Sequence, residues 1–188
     1  MINLRKEILN YISGQRYEHT LAVEEECVKL AEIFKLNQTE TDKLRIAALL
    51  HDITKELNVQ EQVVLCERFN IVYAGFTPKL FHAPTGASLA RNDFPTIVDD
   101  LVYDAIRLHT TGGENMNLFE KLLYLADYIE PTRTFPDCKR LRKYFYKTLS
   151  LNDTLILSFD MTIENLITNK EHINIKTIKA RNFLLEQN

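Results

Sequence analysis

Apolar residues recur at three- and four-residue spacings along nearly the whole chain, and the strict alternation of a half-buried strand is almost absent. That pattern predicts an all-α protein. Val23, Cys27, Leu30, Ala31 and Phe34 form one stripe; Leu44, Ala47 and Leu50 form the next, in a helix opened by a capping box at Thr39 and Asp42. A further helix carries Val63, Val64 and Phe69. The segment from Tyr73 to Pro78, with Gly75, reads as a loop, and a helix begins near Pro84 and stops before Pro95. Val98, Leu101, Val102 and Ala105 make another stripe, ended by Thr110-Thr111-Gly112-Gly113. Leu118 to Ile129 is helical until Pro131 terminates it. Helices around Asp137 to Leu149 and Asp153 to Asn169, and a short one from Ile175 to Leu185, complete the chain. No repeat, low-complexity tract or linker interrupts it, so one compact helical domain over residues 1–188 is expected.

Length and composition narrow the partners. A chain of 188 residues can bury roughly 70% of its unfolded surface, enough for a real core. The net charge is −3 with both signs interspersed, which leaves no basic stripe to track a phosphate backbone and argues against polymeric nucleic acid. Cys27, Cys66 and Cys138 are odd in number and far apart, so they read as free thiols in a reducing cytoplasm, not as disulfides or a thiolate metal site. The opening MINLRKEILNYI is amphipathic and broken by charge, as in a first helix and unlike a signal peptide. No run reaches the length of a membrane span.

Several polar residues break the pattern by sitting on apolar faces. His19 lies four residues before Val23, His109 four after Ala105, and Asp127 four after Leu123, so register turns each inward. In AALLHDITKE an apolar helical run ends in His51 and Asp52 side by side, and burying either without a partner is costly. His82 adds a fourth histidine. One histidine on an apolar face is usually a hydrogen-bonded core residue; six such positions from five segments form a metal-ligand inventory. Neutral imidazole and ionised carboxylate together suit iron, manganese, cobalt or zinc. Asp52, adjacent to His51 and central in chain order, is the natural bridge between two ions. A pair of ions about 3.5–4 Å apart supplies a hydroxide nucleophile and a phosphate clamp, the requirements of phosphate ester or anhydride hydrolysis. His172 belongs to no stripe and reads as a surface residue.

RYEHTLAV from Arg16, ALLHDITK from Ala48, HAPTGA from His82, AIRLHTTG from Ala105 and LLYLADYIEPTRTF from Leu122, with a weaker TIKARN from Thr177, together resemble the HD-domain superfamily of metal-dependent phosphohydrolases. More narrowly, the chain resembles the YqeK-type family, the HD-domain symmetrical bis(5'-nucleosyl)-tetraphosphatases. The resemblance implies a helical HD-domain bundle, with a metal-binding core over about residues 16–133 and C-terminal helices over 137–188. It also implies a di-iron centre and cleavage of diadenosine tetraphosphate into two ADP. One ion would be held by His19, His51, Asp52 and Asp127, the other by His82 and His109 with Asp52 bridging.

A polyphosphate carries more negative charge than two ions neutralise, so flanking cations and backbone donors are expected. Lys55 is one turn beyond His51, Arg16 one turn before His19, and Arg133 just past the proline that follows Asp127. Asp52, Lys55 and Arg133 are therefore the candidate catalytic residues. Arg16, Lys55, Thr110, Thr111, Gly112, Arg133 and Arg142 are the candidate substrate contacts. Metal retention is expected to weaken below about pH 6 as the imidazoles protonate. Two other readings stay open at this point: an HD-domain phosphatase or phosphodiesterase of another nucleotide, and a metal- or nucleotide-binding regulatory module without turnover. Tyr144 and Tyr146 mark either a homodimer face or a core edge.

Overall fold

The computed structural model describes residues 2–73 and 76–187. Among them are ten α-helices and no strand: α1 Ile2–Glu7, α2 Gly14–Ile33, α3 Gln38–Leu50, α4 Val59–Arg68, α5 His82–Asp93, α6 Asp100–Leu108, α7 Leu118–Ile129, α8 Pro136–Thr148, α9 Leu151–Thr168 and α10 Ile175–Glu186. Gly75, expected in the loop ahead of Pro78, lies outside the described residues. The all-helical reading therefore stands, and no helix among the described residues is long and apolar enough to cross a membrane.

Local chemistry starts these helices in a repeated way. Asn37, Asn58 and Asn117 each accept from the backbone N–H three residues on, while Glu40, Glu61 and Glu120 reach back to the asparagine N–H. Three capping boxes of this kind open α3, α4 and α7. The box expected at Thr39 and Asp42 is thus two residues too late. Asn37 wins because its short amide oxygen meets the Glu40 N–H at 3.0 Å.

Helices α2, α3 and α7 pack on one another, and α6 packs on α3, α5 and α7. Leu30, Leu44, Leu49, Leu50, Ile106, Leu122 and Leu123 are fully enclosed where they meet. Helix α4 departs from its expected register. It packs on α5 and turns Gln62 and Cys66 inward, leaving Val64 52% exposed. The reason is polar: the Gln62 amide donates to the Thr54 carbonyl at 2.5 Å and accepts from the Thr85 hydroxyl at 2.5 Å, a network that apolar periodicity does not register.

The C-terminal helices brace this bundle. Helix α8 packs on α7 and α9, and α10 packs on α9. The loop after α6 depends on them: Gly112 has φ +65°, and a Cβ there would lie 2.6 Å from the Phe159 ring. Thr177 of α10 donates to the Thr111 carbonyl at 3.1 Å. Tyr146 of α8 donates from its hydroxyl to Glu26 of α2 at 2.5 Å.

Candidate metal centre

Three of the four buried histidines stand at helix boundaries, two just past a C-terminus, where the backbone leaves unpaired carbonyls, and one at an N-terminus. His51 follows α3 and His109 follows α6, and each directs Nδ1 at the carbonyl three residues back, Ala48 and Ile106, at 2.6 Å. His82 opens α5 and directs Nδ1 at the Lys79 carbonyl at 2.9 Å. A carbonyl only accepts, so Nδ1 donates and each ring turns its Nε2 the other way. His19, inside α2, is held at Nδ1 by the buried carboxylate of Glu130 at 3.0 Å. All four anchors are of the kind that fixes the orientation of a metal-ligating imidazole.

The Nε2 atoms converge on two carboxylates. Asp52 Oδ2 lies 3.5 Å from His51 and 4.0 Å from His19, while Asp52 Oδ1 lies 3.5 Å from His82 and 3.6 Å from His109. Asp127 Oδ1 is 3.0 Å from His19 and 3.8 Å from His51. The two oxygens of Asp52 thus divide the histidines into two sets. Metal bonds of about 2.0–2.2 Å hold neighbouring donor atoms roughly 3–3.5 Å apart, close to the spacing seen here. His19 Nε2, His51 Nε2 and Asp52 Oδ1 are buried without an aligned hydrogen-bond partner among the described residues. Buried polar atoms without partners are costly in a core; a divalent cation at the first set would satisfy the two imidazoles and one at the second would satisfy Asp52 Oδ1. Nitrogen and oxygen donors without sulfur fit such an ion, and the cluster therefore fits a metal site.

Burial favours the neutral acid at Asp52, but His51, His109 and His82 hold its carboxyl well below the usual range. At Asp127 burial is likewise outweighed, chiefly by Arg133 and His19. Burial opposes protonation of His19, yet Asp127 and Glu130 push it up to about 9. Burial holds His82 well below its ordinary value and draws Lys55 down.

The expected cations meet this cluster. Arg16 donates to Asp52 Oδ2 at 2.6 Å, Arg133 donates to Asp127 Oδ1 at 2.6 Å, and Lys55 Nζ lies 3.0 Å from His82 Nε2. Arg133 Nε is buried and has no partner among the described residues. Arg16, His19, Lys55, Glu130, Arg133 and Phe135 line a cavity of about 580 Å³. Thr110 stands on the His82 side of the cluster, its hydroxyl 3.0 Å from His82 Nε2.

Other expected contacts go elsewhere. Thr111 turns its hydroxyl to the Gly112 carbonyl, and the Gly112 N–H is already bonded to the Leu108 carbonyl. Both residues are buried toward the C-terminal helices, so they shape the loop after His109 and offer no donor to a ligand. Arg142 donates to the carbonyls of Ile129, Glu130 and Arg133. It clamps the turn that presents Arg133, which its position on the polar face of α8 did not reveal. Sequence reasoning missed Glu130, whose carboxylate also accepts from the Thr132 N–H and hydroxyl. Its place one residue past the end of α7 and three from Asp127 is the signal that was available.

Comparisons with known proteins bear on the same residues. A family described as HD domain matches residues 16–132. The chain is 37% identical over 182 residues to a symmetrical bis(5'-nucleosyl)-tetraphosphatase of Halalkalibacterium halodurans, covering 94% of this chain and 93% of the relative. It is 35% identical to the protein of the same name in Bacillus subtilis, over 96% of this chain and 97% of the relative. A crystal structure from Clostridium acetobutylicum, of a protein described as a predicted HD superfamily hydrolase involved in NAD metabolism, superposes with a TM-score of 0.87 at 35% identity, over 99% of this chain and 97% of that one. The chain belongs to the HD-domain superfamily of hydrolases and, within it, to the family of symmetrical bis(5'-nucleosyl)-tetraphosphatases.

Proposed function

We propose that this chain hydrolyses diadenosine tetraphosphate at its central anhydride, adding one water across the bond between the second and third phosphates and releasing two ADP. The observation that carries this reading is the division of the four imidazoles by Asp52, one carboxylate oxygen to each set. His19, His51, Asp52 and Asp127 would hold one ion, and His82 and His109 a second, with Asp52 shared. Imidazole and carboxylate donors suit iron, with manganese, cobalt and zinc as chemically similar alternatives. Once bound, such ions supply a water that loses its proton near neutral pH and a clamp on the central phosphates.

The protein's own groups do the remaining work. Glu130 and the three backbone carbonyls keep Nε2 of each histidine aimed inward. Arg16 and Arg133 stand at the two carboxylates and line the same cavity, so they are placed to meet the phosphate oxygens that flank the scissile bond. Arg133 brings a buried Nε–H that has no protein partner among the described residues to use instead. Lys55 brings a third positive charge beside His82. The buried free cysteines support a reducing compartment, and we place the protein in the cytoplasm.

Incubation of iron- or manganese-loaded protein with diadenosine tetraphosphate, followed by ion-exchange separation, tests the reading. ADP as the sole product is expected. AMP with ATP would keep a metal-dependent hydrolase but overturn symmetrical cleavage, and no product would overturn the assigned reaction.

A further inference from the structure

The cluster has a second opening. Beside the cavity that reaches His19, another of about 320 Å³ reaches His82, lined also by Leu57, Val59, Pro78 and Lys79. Lys55 lines both. The order across the centre is fixed by Asp52: Oδ2 faces His19, at the end of the larger cavity, and Oδ1 faces His82, at the end of the smaller one. Both volumes fall in the range of roughly 300–1,000 Å³ typical of small-molecule sites.

The two walls differ in chemistry. The larger cavity carries Arg16 and Arg133; the smaller carries aliphatic side chains, among them Val59 at 53% exposure. Val59 is the first residue of α4, fixed there by the Asn58 and Glu61 capping box, so its exposed side chain stands on a rigid helix start and not on a mobile loop. An exposed valine at the mouth of a cavity beside a buried histidine and a lysine presents an apolar surface next to positive charge. That combination matches a nucleoside joined to phosphate. A substrate cut at its centre of symmetry also needs room for an equal arm on each side of the reacting bond.

We propose that the cavity of Leu57, Val59 and Pro78 is a second nucleoside subsite, which takes one nucleoside diphosphate half of the substrate while the Arg16 and Arg133 cavity takes the other. The inference rests on the tetraphosphatase reading of the centre and adds where the second arm goes. Base and ribose lie against Val59 and Pro78, and the phosphate chain passes Lys55 toward the metal ligands. Lys79, paired with Glu171 at 2.8 Å on the exposed rim, can exchange that partner for phosphate because surface ion pairs are weak.

The test is the binding stoichiometry of ADP, measured by titration calorimetry on manganese-loaded protein, together with KM for diadenosine tetraphosphate. Wild-type protein is expected to bind two ADP per chain, and Val59→Glu one, with KM for the tetraphosphate raised roughly tenfold by loss of the apolar wall and added repulsion. Glutamate is well tolerated in a first helical turn, so the variant should melt with the wild type. One ADP per chain in the wild type, or an unchanged stoichiometry and KM in Val59→Glu, would overturn the second subsite. Two ADP bound without turnover of the tetraphosphate would leave the subsite standing and reject the reaction instead.

Discussion

At the scale of single residues, the centre works through atoms that point away from it. The Nδ1 protons of His51, His82 and His109 go to backbone carbonyls, and that of His19 goes to Glu130. Removing such an anchor leaves every ligand present but loosens one ring. Glu130→Ala is therefore expected to lower metal affinity about 10–100-fold, and Glu130→Gln, which keeps an acceptor, to lower it less. Competition with a chelator measures both; equal affinity in Glu130→Ala and wild type would contradict the role. Arg133 presents the opposite case, a donor that faces the cavity. Arg133→Ala is expected to raise KM for the tetraphosphate roughly tenfold or more with a smaller fall in kcat, and a changed kcat at constant KM would count against phosphate contact. Register alone placed His19, His109 and Asp127 on inward faces, where the structure has them. It stopped short of Glu130 because a carboxylate beside a helix-ending proline looks like a solvated terminus, and its value depends on a histidine 111 residues away.

At the scale of elements, helix ends matter more than helix faces. His51 and His109 stand just past the C-termini of α3 and α6 and use carbonyls of the last turns, while His82 opens α5 and uses the Lys79 carbonyl of the turn before it, so backbone carbonyls at helix boundaries become the fixtures of the site. The loop after α6 must fold tightly for this to hold. Gly112→Ala would put a Cβ against Phe159 at a positive φ and is expected to destabilise the protein by about 1–3 kcal/mol, read from thermal unfolding; an unshifted transition would contradict the packing. The start of α6 gives a pH dependence. Asp99 accepts from the Val102 N–H at 3.0 Å and pairs with Lys43 at 2.6 Å. Burial alone would raise its carboxyl, but Lys43 and the helix amides hold it below the usual range. A folded value depressed below the unfolded one, about 3.9, gives stability that is present above that value and lost as pH falls through the folded one. Asp99→Asn should be less stable than wild type near neutral pH and should converge with it in strong acid; a gap that persists there would contradict the assignment. Apolar periodicity located most helices because apolar contact holds α2, α3, α6 and α7 together. It misread α4, whose buried face is the polar network of Gln62, Thr54 and Thr85.

At the scale of the whole molecule, five segments distant in sequence meet at one cluster. The α2 and α3 segments bring His19 and His51 to Asp52, α7 sets Asp127 against the same two histidines, and α5 and α6 bring His82 and His109 to the other oxygen of Asp52. Helices α8 to α10 carry none of the candidate metal ligands; through Arg142 and the Thr177 bond they hold the loops on either side of the centre. That division of labour was only half legible in the chain. Residues that break an apolar stripe announce themselves, whereas residues that clamp a loop through its backbone leave no pattern in side-chain types. If Asp52 divides two ion sites, metal content per chain reports it. Protein loaded with iron or manganese and freed of excess metal should carry two ions in the wild type, one in His82→Ala, and none firmly held in Asp52→Ala. A single ion in the wild type, unaltered by His82→Ala, would contradict the account.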